Sequence, residues 1–202
     1  MFDNPKFLLS ASDPKQIPKN PHVVDLVFIG KSNVGKSSLI NALCNNGHLA
    51  KTSKTPGRTR QINFFSLATN VALVDLPGYG FANVPLDIKQ KWEKLIIYYL
   101  SNTQNKKILN LLIDARRGLQ KNDIAIIELL LSYRHDFHIV FTKIDKIPTA
   151  DVDLLLNDAH CKLTGIFGSK VNLDLICVSV KNKSKIQSLK AYLSKAIRDT
   201  KA

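Results

Sequence analysis

The 202-residue chain is poor in acidic residues, in cysteine and in long apolar runs. Sixteen Asp and Glu stand against 29 Lys and Arg, a formal charge of +13. Such an excess costs self-repulsion and favours polyanions, so nucleic acid, an acidic membrane surface or phosphorylated ligands are the partner classes to consider. Cys44, Cys161 and Cys177 are odd in number and widely spaced, which fits neither a disulfide framework nor a zinc knuckle, and they read as buried thiols. The longest apolar stretches, 109–113 and 124–131, fall well short of the about 20 residues that cross a bilayer. The N-terminus carries Asp3 and Asp13 and lacks both an apolar core and an Arg-rich amphipathic pattern, so neither a signal nor a transit peptide is indicated and a cytoplasmic enzyme is expected. With 45% hydrophobic residues the chain can bury a core as one domain.

Residues 1–21 are polar and punctuated by Pro5, Pro14, Pro18 and Pro21, and read as a proline-rich arm ahead of a domain at 22–202. Beyond it, apolar runs alternate with amphipathic stretches. Strands are expected at 23–29, 62–67, 71–74, 108–113, 138–141 and 173–178, and helices at 36–45, 87–101, 121–134, 150–167 and 183–198. This alternation implies crossover connections, a mainly parallel sheet of six strands and helices on both faces, an α/β three-layer fold. The link at 68–70 is too short for a crossover helix, so one strand of the hairpin it joins must run antiparallel.

Immediately after the first apolar strand stand Gly30, Lys31, Ser32, Asn33, Val34, Gly35, Lys36 and Ser37, with the spacing of a phosphate-binding loop opening a helix. The two glycines allow backbone turns that aim N–H groups inward, and the helix N-terminus adds its positive end. Lys36 would bridge the outer phosphates and the Ser37 hydroxyl would ligate Mg²⁺.

Asp75, Leu76, Pro77 and Gly78 close the third expected strand. A carboxylate there can hold Mg²⁺ through water, while the Gly78 N–H can sense a terminal phosphate. Thr142, Lys143, Ile144 and Asp145 follow the fifth strand. Asp145 can accept two hydrogen bonds from guanine N1 and N2, which adenine cannot offer, and the Lys143 stem can cover the base. After the last strand, Val178, Ser179 and Val180 would place a backbone N–H on guanine O6.

Residues 51–60 form a polar, basic stretch in which Thr59 can complete the Mg²⁺ sphere only when a terminal phosphate is present. A second polar stretch spans 77–87. Two loops flanking a terminal phosphate are what an order–disorder switch requires.

The words at 30–41, 54–59 and 74–80 resemble the EngB/YihA/YsxC family of bacterial GTP-binding proteins, over about residues 20–200. The resemblance implies a P-loop GTPase domain binding GTP and GDP, with Mg²⁺ ligands Ser37 and Thr59, and guanine contacts from Thr142, Lys143 and Asp145. It also implies nucleotide contacts from the first switch, Gly57, Arg58, Thr59, Arg60 and Gln61. The implied role is assembly of the large (50S) ribosomal subunit, with ribosomal RNA and proteins as partners and with cell-division and septation phenotypes. A monomer without stable membrane association is expected.

Three departures bear on the site. Thr142 replaces the commoner Asn of the guanine motif, and Val180 stands where a small residue is usual; these touch base affinity more than base identity. Tyr79 follows Gly78 where a Ras-like enzyme has its water-orienting Gln, so no catalytic residue is assigned and intrinsic hydrolysis is expected to be slow. In related GTPases an Asn at the position of Asn33 coordinates K⁺, which implies K⁺-stimulated hydrolysis. Basic residues crowd the first switch (Lys51, Lys54, Arg58, Arg60) and the last segment (Lys181, Lys183, Lys185, Lys190, Lys195, Arg198, Lys201), marking a surface for RNA. Trp92, Tyr98 and Tyr99 at helical spacing read as core. A division-associated membrane-surface GTPase and an ATP-dependent P-loop kinase are the competing classes. The end at 199–202 offers no prenylation Cys, and Asp145 argues against adenine.

Overall fold

The apolar run Val24–Gly30 forms a strand buried at every position, as a parallel strand covered on both faces must be. The computed structural model describes residues 1–18, 24–50, 61–80, 86–168 and 174–201. Within them the strands are β1 (Lys6–Ala11), β2 (Val24–Gly30), β3 (Ile62–Ala68), β4 (Val71–Asp75), β5 (Lys106–Asp114), β6 (Phe137–Thr142) and β7 (Leu175–Cys177). The helices are α1 (Lys36–Leu43), α2 (Leu86–Asn102), α3 (Lys121–Ser132), α4 (Asp151–Phe167) and α5 (Lys183–Lys201).

One sheet holds all seven strands in the order β1-β3-β4-β2-β5-β6-β7. The pairs β4–β2, β2–β5, β5–β6 and β6–β7 are parallel, and β3 is antiparallel to both of its neighbours. The α/β class and the one antiparallel strand therefore stand, but the sheet has seven strands where the sequence suggested six. The extra strand comes from the proline-rich segment: Pro5 and Pro14 bracket it without entering it, and β1 pairs with β3 from Lys6↔Ser66 to Ala11↔Ile62. Phe2, Ala11 and Ile17 are all buried, which ties this segment into the body. The hairpin between β3 and β4 turns at Asn70, whose φ of 60° is a left-handed conformation that Asn tolerates.

Two apolar layers sandwich the sheet. On one side α2, α3 and α4 bury Leu95, Ile96, Tyr99, Ile127, Leu130, Ala159 and Leu163. On the other, α1 and α5 bury Leu39, Ile40, Leu43, Ile186, Leu189, Leu193 and Ile197. The three- and four-residue spacing of the α5 set makes one apolar stripe, and truncating Leu193 to Ala would cost about 2–5 kcal/mol.

Some expected core residues lie elsewhere. Cys44 is buried, and burial pushes its thiol up to about 11. Cys161, however, is exposed on α4 and Cys177 is half-buried. Tyr99 is fully buried and donates to Asp25 Oδ2 at 2.7 Å, whereas Tyr98 is exposed one position before it. The side chain of Trp92 lies outside the described residues.

The connections from β2 and β4 set the site. The chain leaves β2 for α1 on one face and leaves β4 for α2 on the other. A crevice at the carboxyl ends of the strands is the consequence of that reversal.

Candidate nucleotide site

The phosphate loop is shaped by backbone crowding. A Cβ on Gly30 would come within 2.9 Å of Val34 Cγ1 and 3.0 Å of Leu112, so only glycine lets the loop fold back on β5 there. Gly35 sits at the N-cap of α1 with φ 105°. It offers no side-chain cap, so the first amides of α1 face the loop without one. An anion seated over residues 33–37 would satisfy them, which is the chemistry a phosphate needs.

Lys36 reaches Asp75 Oδ1, and both side chains are nearly buried. The ammonium expected to serve phosphates and the carboxylate expected to serve Mg²⁺ thus converge at one point. The other Asp75 oxygen faces the Asn63 amide at 3.4 Å, and Asn63 in turn accepts from Ser10 of β1 at 2.6 Å. Ser37 lies in the first turn of α1. Among the described residues no group of three or more His, Cys, Asp or Glu could hold a metal. The Ser37 hydroxyl and the Asp75 carboxylate are hard oxygen donors, the type that Mg²⁺ takes alongside phosphates and water. Gly57, Arg58, Thr59 and Arg60 lie outside the described residues, and Gln61 is exposed just before β3.

Leu76 donates its N–H to the Phe28 carbonyl at 3.0 Å, continuing the line of β4. Tyr79 then docks on the phosphate loop: its N–H donates to Gly30 O at 3.2 Å, and its carbonyl accepts from Ser32 N–H at 3.0 Å. Gly78 lies so close that a Cβ would meet Ser32 N and Oγ at 3.2 Å. The Tyr79 ring turns away to α3, where its hydroxyl donates to Asp123 Oδ1 at 2.6 Å.

The segment expected to read the base is braced from three sides. Thr142 is buried, and its hydroxyl lies 2.6 Å from the Val34 carbonyl, so it ties β6 to the phosphate loop. Lys143, at φ 59°, donates to the Asn33 carbonyl at 2.6 Å, and its stem lies 3.6 Å from where a Gly35 Cβ would be. Asp145 Oδ1 accepts from Ser179 Oγ at 2.7 Å, and Lys181 lies 3.6 Å from Oδ2. The Ser179 hydroxyl, with help from the nearby lysines, holds the Asp145 carboxyl below its usual range. Val178 donates to Phe141 O at 2.8 Å and accepts from Ile144 N–H at 3.3 Å, which sets Ser179 beside Asp145 while Val180 stays exposed.

Two members of this neighbourhood were not singled out in the sequence. Asp123 anchors Tyr79, and Asp114 holds Lys143. Asp114 carried a signal: it ends β5 as Asp75 ends β4, a carboxylate at the same edge of the sheet.

Residues 25–143 match the family described as 50S ribosome-binding GTPase. The chain is 49% identical over 193 residues to the "Probable GTP-binding protein EngB" of Rickettsia akari, covering 96% of this chain and 88% of that one. Its counterpart in Rickettsia canadensis is 50% identical over 192 residues, covering 95% and 85%. In three dimensions the chain matches the crystal structure of a probable GTP-binding protein EngB with a TM-score of 0.67 at 25% identity, over 87% of this chain and 99% of that one. An Era structure from Aquifex aeolicus bound to GDP and AlF4⁻ shares the fold, with a TM-score of 0.61 at 22% identity over 85% and 56%. A glycine-rich loop opening α1, a strand-end aspartate and a braced segment after β6 at one sheet edge thus come with relatives of matching length, and the chain belongs to the EngB family of GTP-binding proteins, which are P-loop GTPases.

Proposed function

We propose that the chain is a GTP-operated switch in assembly of the large ribosomal subunit, and through that role supports normal cell division. The observation that carries this reading is the docking of Gly78 and Tyr79 on Gly30 and Ser32, which puts the segment after Asp75 against the phosphate loop. A terminal phosphate seated there would compete for the same backbone, so its presence is felt directly by residues that lead into α2.

In this reading the α1 amides and Lys36 cradle the phosphates, and Asp145 accepts from guanine N1 and N2. The Lys143 stem covers the base, and the backbone at 178–180 meets O6. Thr142 contributes as a brace of the loop through Val34. Ser37 and Thr59 would hold Mg²⁺, with Asp75 behind them. When bound, the ion neutralises phosphate charge as hydrolysis develops it on the leaving oxygens. Hydrolysis is slow because Tyr79 is buried against Asp123 and offers the attacking water no amide. K⁺ held by Asn33 is the proposed supplement to transition-state charge.

The excess of +13 supports ribosomal RNA as partner. Lys183, Lys185, Lys195 and Arg198 are exposed on α5, and the name of the matched family, 50S ribosome-binding GTPase, points the same way. Among the described residues no helix is long and apolar enough to cross a membrane, and a cytoplasmic monomer goes with this reading. Membrane-surface action in division is the alternative that the same charge would allow.

Cosedimentation with large-subunit particles and with anionic liposomes separates the two. Retention on particles with a non-hydrolysable GTP analogue, weaker with GDP and falling with salt at a slope near 0.7–0.9 per neutralised phosphate, is the expected result. Binding that ignores the nucleotide, or liposome binding alone, would remove the switch.

A further inference from the structure

Asp114 gathers two cations at the edge of the base site. Its Oδ2 accepts from Lys143 Nζ at 2.9 Å and from Arg116 Nη2 at 2.6 Å. Its Oδ1 accepts from Arg116 Nε at 2.9 Å and from the Arg116 N–H at 3.1 Å. The Lys143 ammonium also donates to the Asn33 carbonyl of the phosphate loop. Burial alone would raise the Asp114 carboxyl, but the bonds from Arg116 and Lys143 outweigh it and hold the group well below the usual carboxylate range.

We propose that Asp114 is a positioning residue for the guanine nucleotide, acting through Lys143. The inference rests on the assignment of Lys143 and Asp145 to the base. A lysine stem has enough rotamer freedom to leave a ligand face unless its head is held. Lys143 is 28% exposed, so solvent is an available alternative for that head. The Asn33 carbonyl is a neutral acceptor, and a charged one holds an ammonium more strongly. Arg116 stands within the same cluster, and without the carboxylate its guanidinium would repel the ammonium. Asp114 thereby keeps the stem over the base and joins the base-reading segment to the phosphate loop. A simpler role exists for the same residue: the Arg117 and Gly118 amides donate to its carbonyl at 2.9 and 3.2 Å, shaping the turn before α3. Those bonds use the backbone and survive a side-chain change.

The test is the release rate of mant-GDP from the full-length chain, measured in a double-mutant cycle. Asp114→Asn keeps the shape and removes the charge, and is expected to speed release roughly tenfold, the scale of one charge-assisted hydrogen bond. In a Lys143→Ala background the same change is expected to add less than about twofold, because the group it positions is gone. Release of inosine diphosphate should accelerate by the same factor, since the stem covers either base while Asp145 alone reads N2. Asp114→Glu should restore part of the wild-type rate. Should Asp114→Asn fold poorly, Asp114→Glu against Lys143→Ala reads the same coupling. Equal acceleration in both backgrounds, or none in a wild-type background that binds GDP, would overturn the inference. Failure of the wild-type chain to bind GDP would overturn the site assignment beneath it.

Discussion

The Tyr79 hydroxyl donates to Asp123 Oδ1 at 2.6 Å across 44 positions of sequence, joining the residue after Gly78 to the first turn of α3. Asp123 also accepts the Gln120 N–H at 2.8 Å and so caps that helix with its other oxygen. Tyr79 is only 3% exposed. Its ring and hydroxyl therefore serve anchoring between the loop and α3.

Replacing Tyr79 by Phe leaves the buried Asp123 oxygen without this donor and should destabilise the chain by about 1.5–3 kcal/mol. Thermal denaturation reads it as a fall of several degrees. Single-turnover hydrolysis should stay within a few-fold of wild type; abolition would show that the hydroxyl takes part in catalysis.

A methyl group on Gly78 would crowd Ser32 N and Oγ at 3.2 Å and Gly30 O at 3.3 Å. Gly78→Ala should push the segment a few tenths of an ångström away from the loop and loosen its contact there, while leaving residues 142–145 alone. The expected outcome is GDP affinity near wild type together with loss of the difference between GTP-analogue and GDP states in particle binding. A variant that still discriminates the two states would show that this contact does not carry the signal.

Two phenols make the fold sensitive to alkali. Burial, reinforced by Asp123 at Tyr79 and by Asp25 at Tyr99, pushes both ionisations well above the free value. A group raised in this way contributes stability that is complete below its unfolded value, near 10, and is lost as pH climbs beyond it. Each should subtract about 1.4 kcal/mol per pH unit above about pH 10. Urea midpoints of wild type and of Tyr79→Phe with Tyr99→Phe, compared from pH 8 to 11, should show a shallower alkaline fall in the double variant. Parallel curves would contradict the assignment.

Asn33 adopts φ 62° at the exposed turn of the phosphate loop, and its carbonyl, held by Lys143, fixes the backbone that carries its side chain. If that side chain helps hold K⁺, single-turnover hydrolysis should be faster in KCl than in NaCl at matched ionic strength, and Asn33→Ala should erase the difference. Equal rates in the two salts for the wild-type chain would dispose of the idea.

What could be read in the sequence was what local pattern encodes. The run at β2, the three- and four-residue spacing of α5 and the glycine that opens α1 each constrain neighbours in the chain, and the elements lie within a residue or a few of the expected places. β1 was missed because six residues between prolines carry too short an alternation, and its partner β3 lies more than 50 residues away. Cys161 and Tyr98 looked apolar by type, but the helix face on which each sits is settled by packing from other elements. Asp114 was passed over for the same reason. Followed by Ala115, Arg116 and Arg117, it resembles a surface turn, and its contact with Lys143 comes from 29 positions on. The neighbours of Asp145 in sequence form the motif on which its expected role rests, whereas its bond from Ser179, 34 positions on, has no local signal.

The most direct measurement of the account is a change of base at Asp145. Xanthine carries an acceptor where guanine carries the N2 donor, so Asp145→Asn turns a guanine reader toward xanthine. Titration with mant-GDP and mant-labelled xanthosine diphosphate should show GDP affinity falling by roughly two orders of magnitude, the scale of two lost charge-assisted hydrogen bonds, while xanthosine diphosphate binding appears. Unchanged GDP binding in this variant would contradict the claim that the chain reads guanine through Asp145.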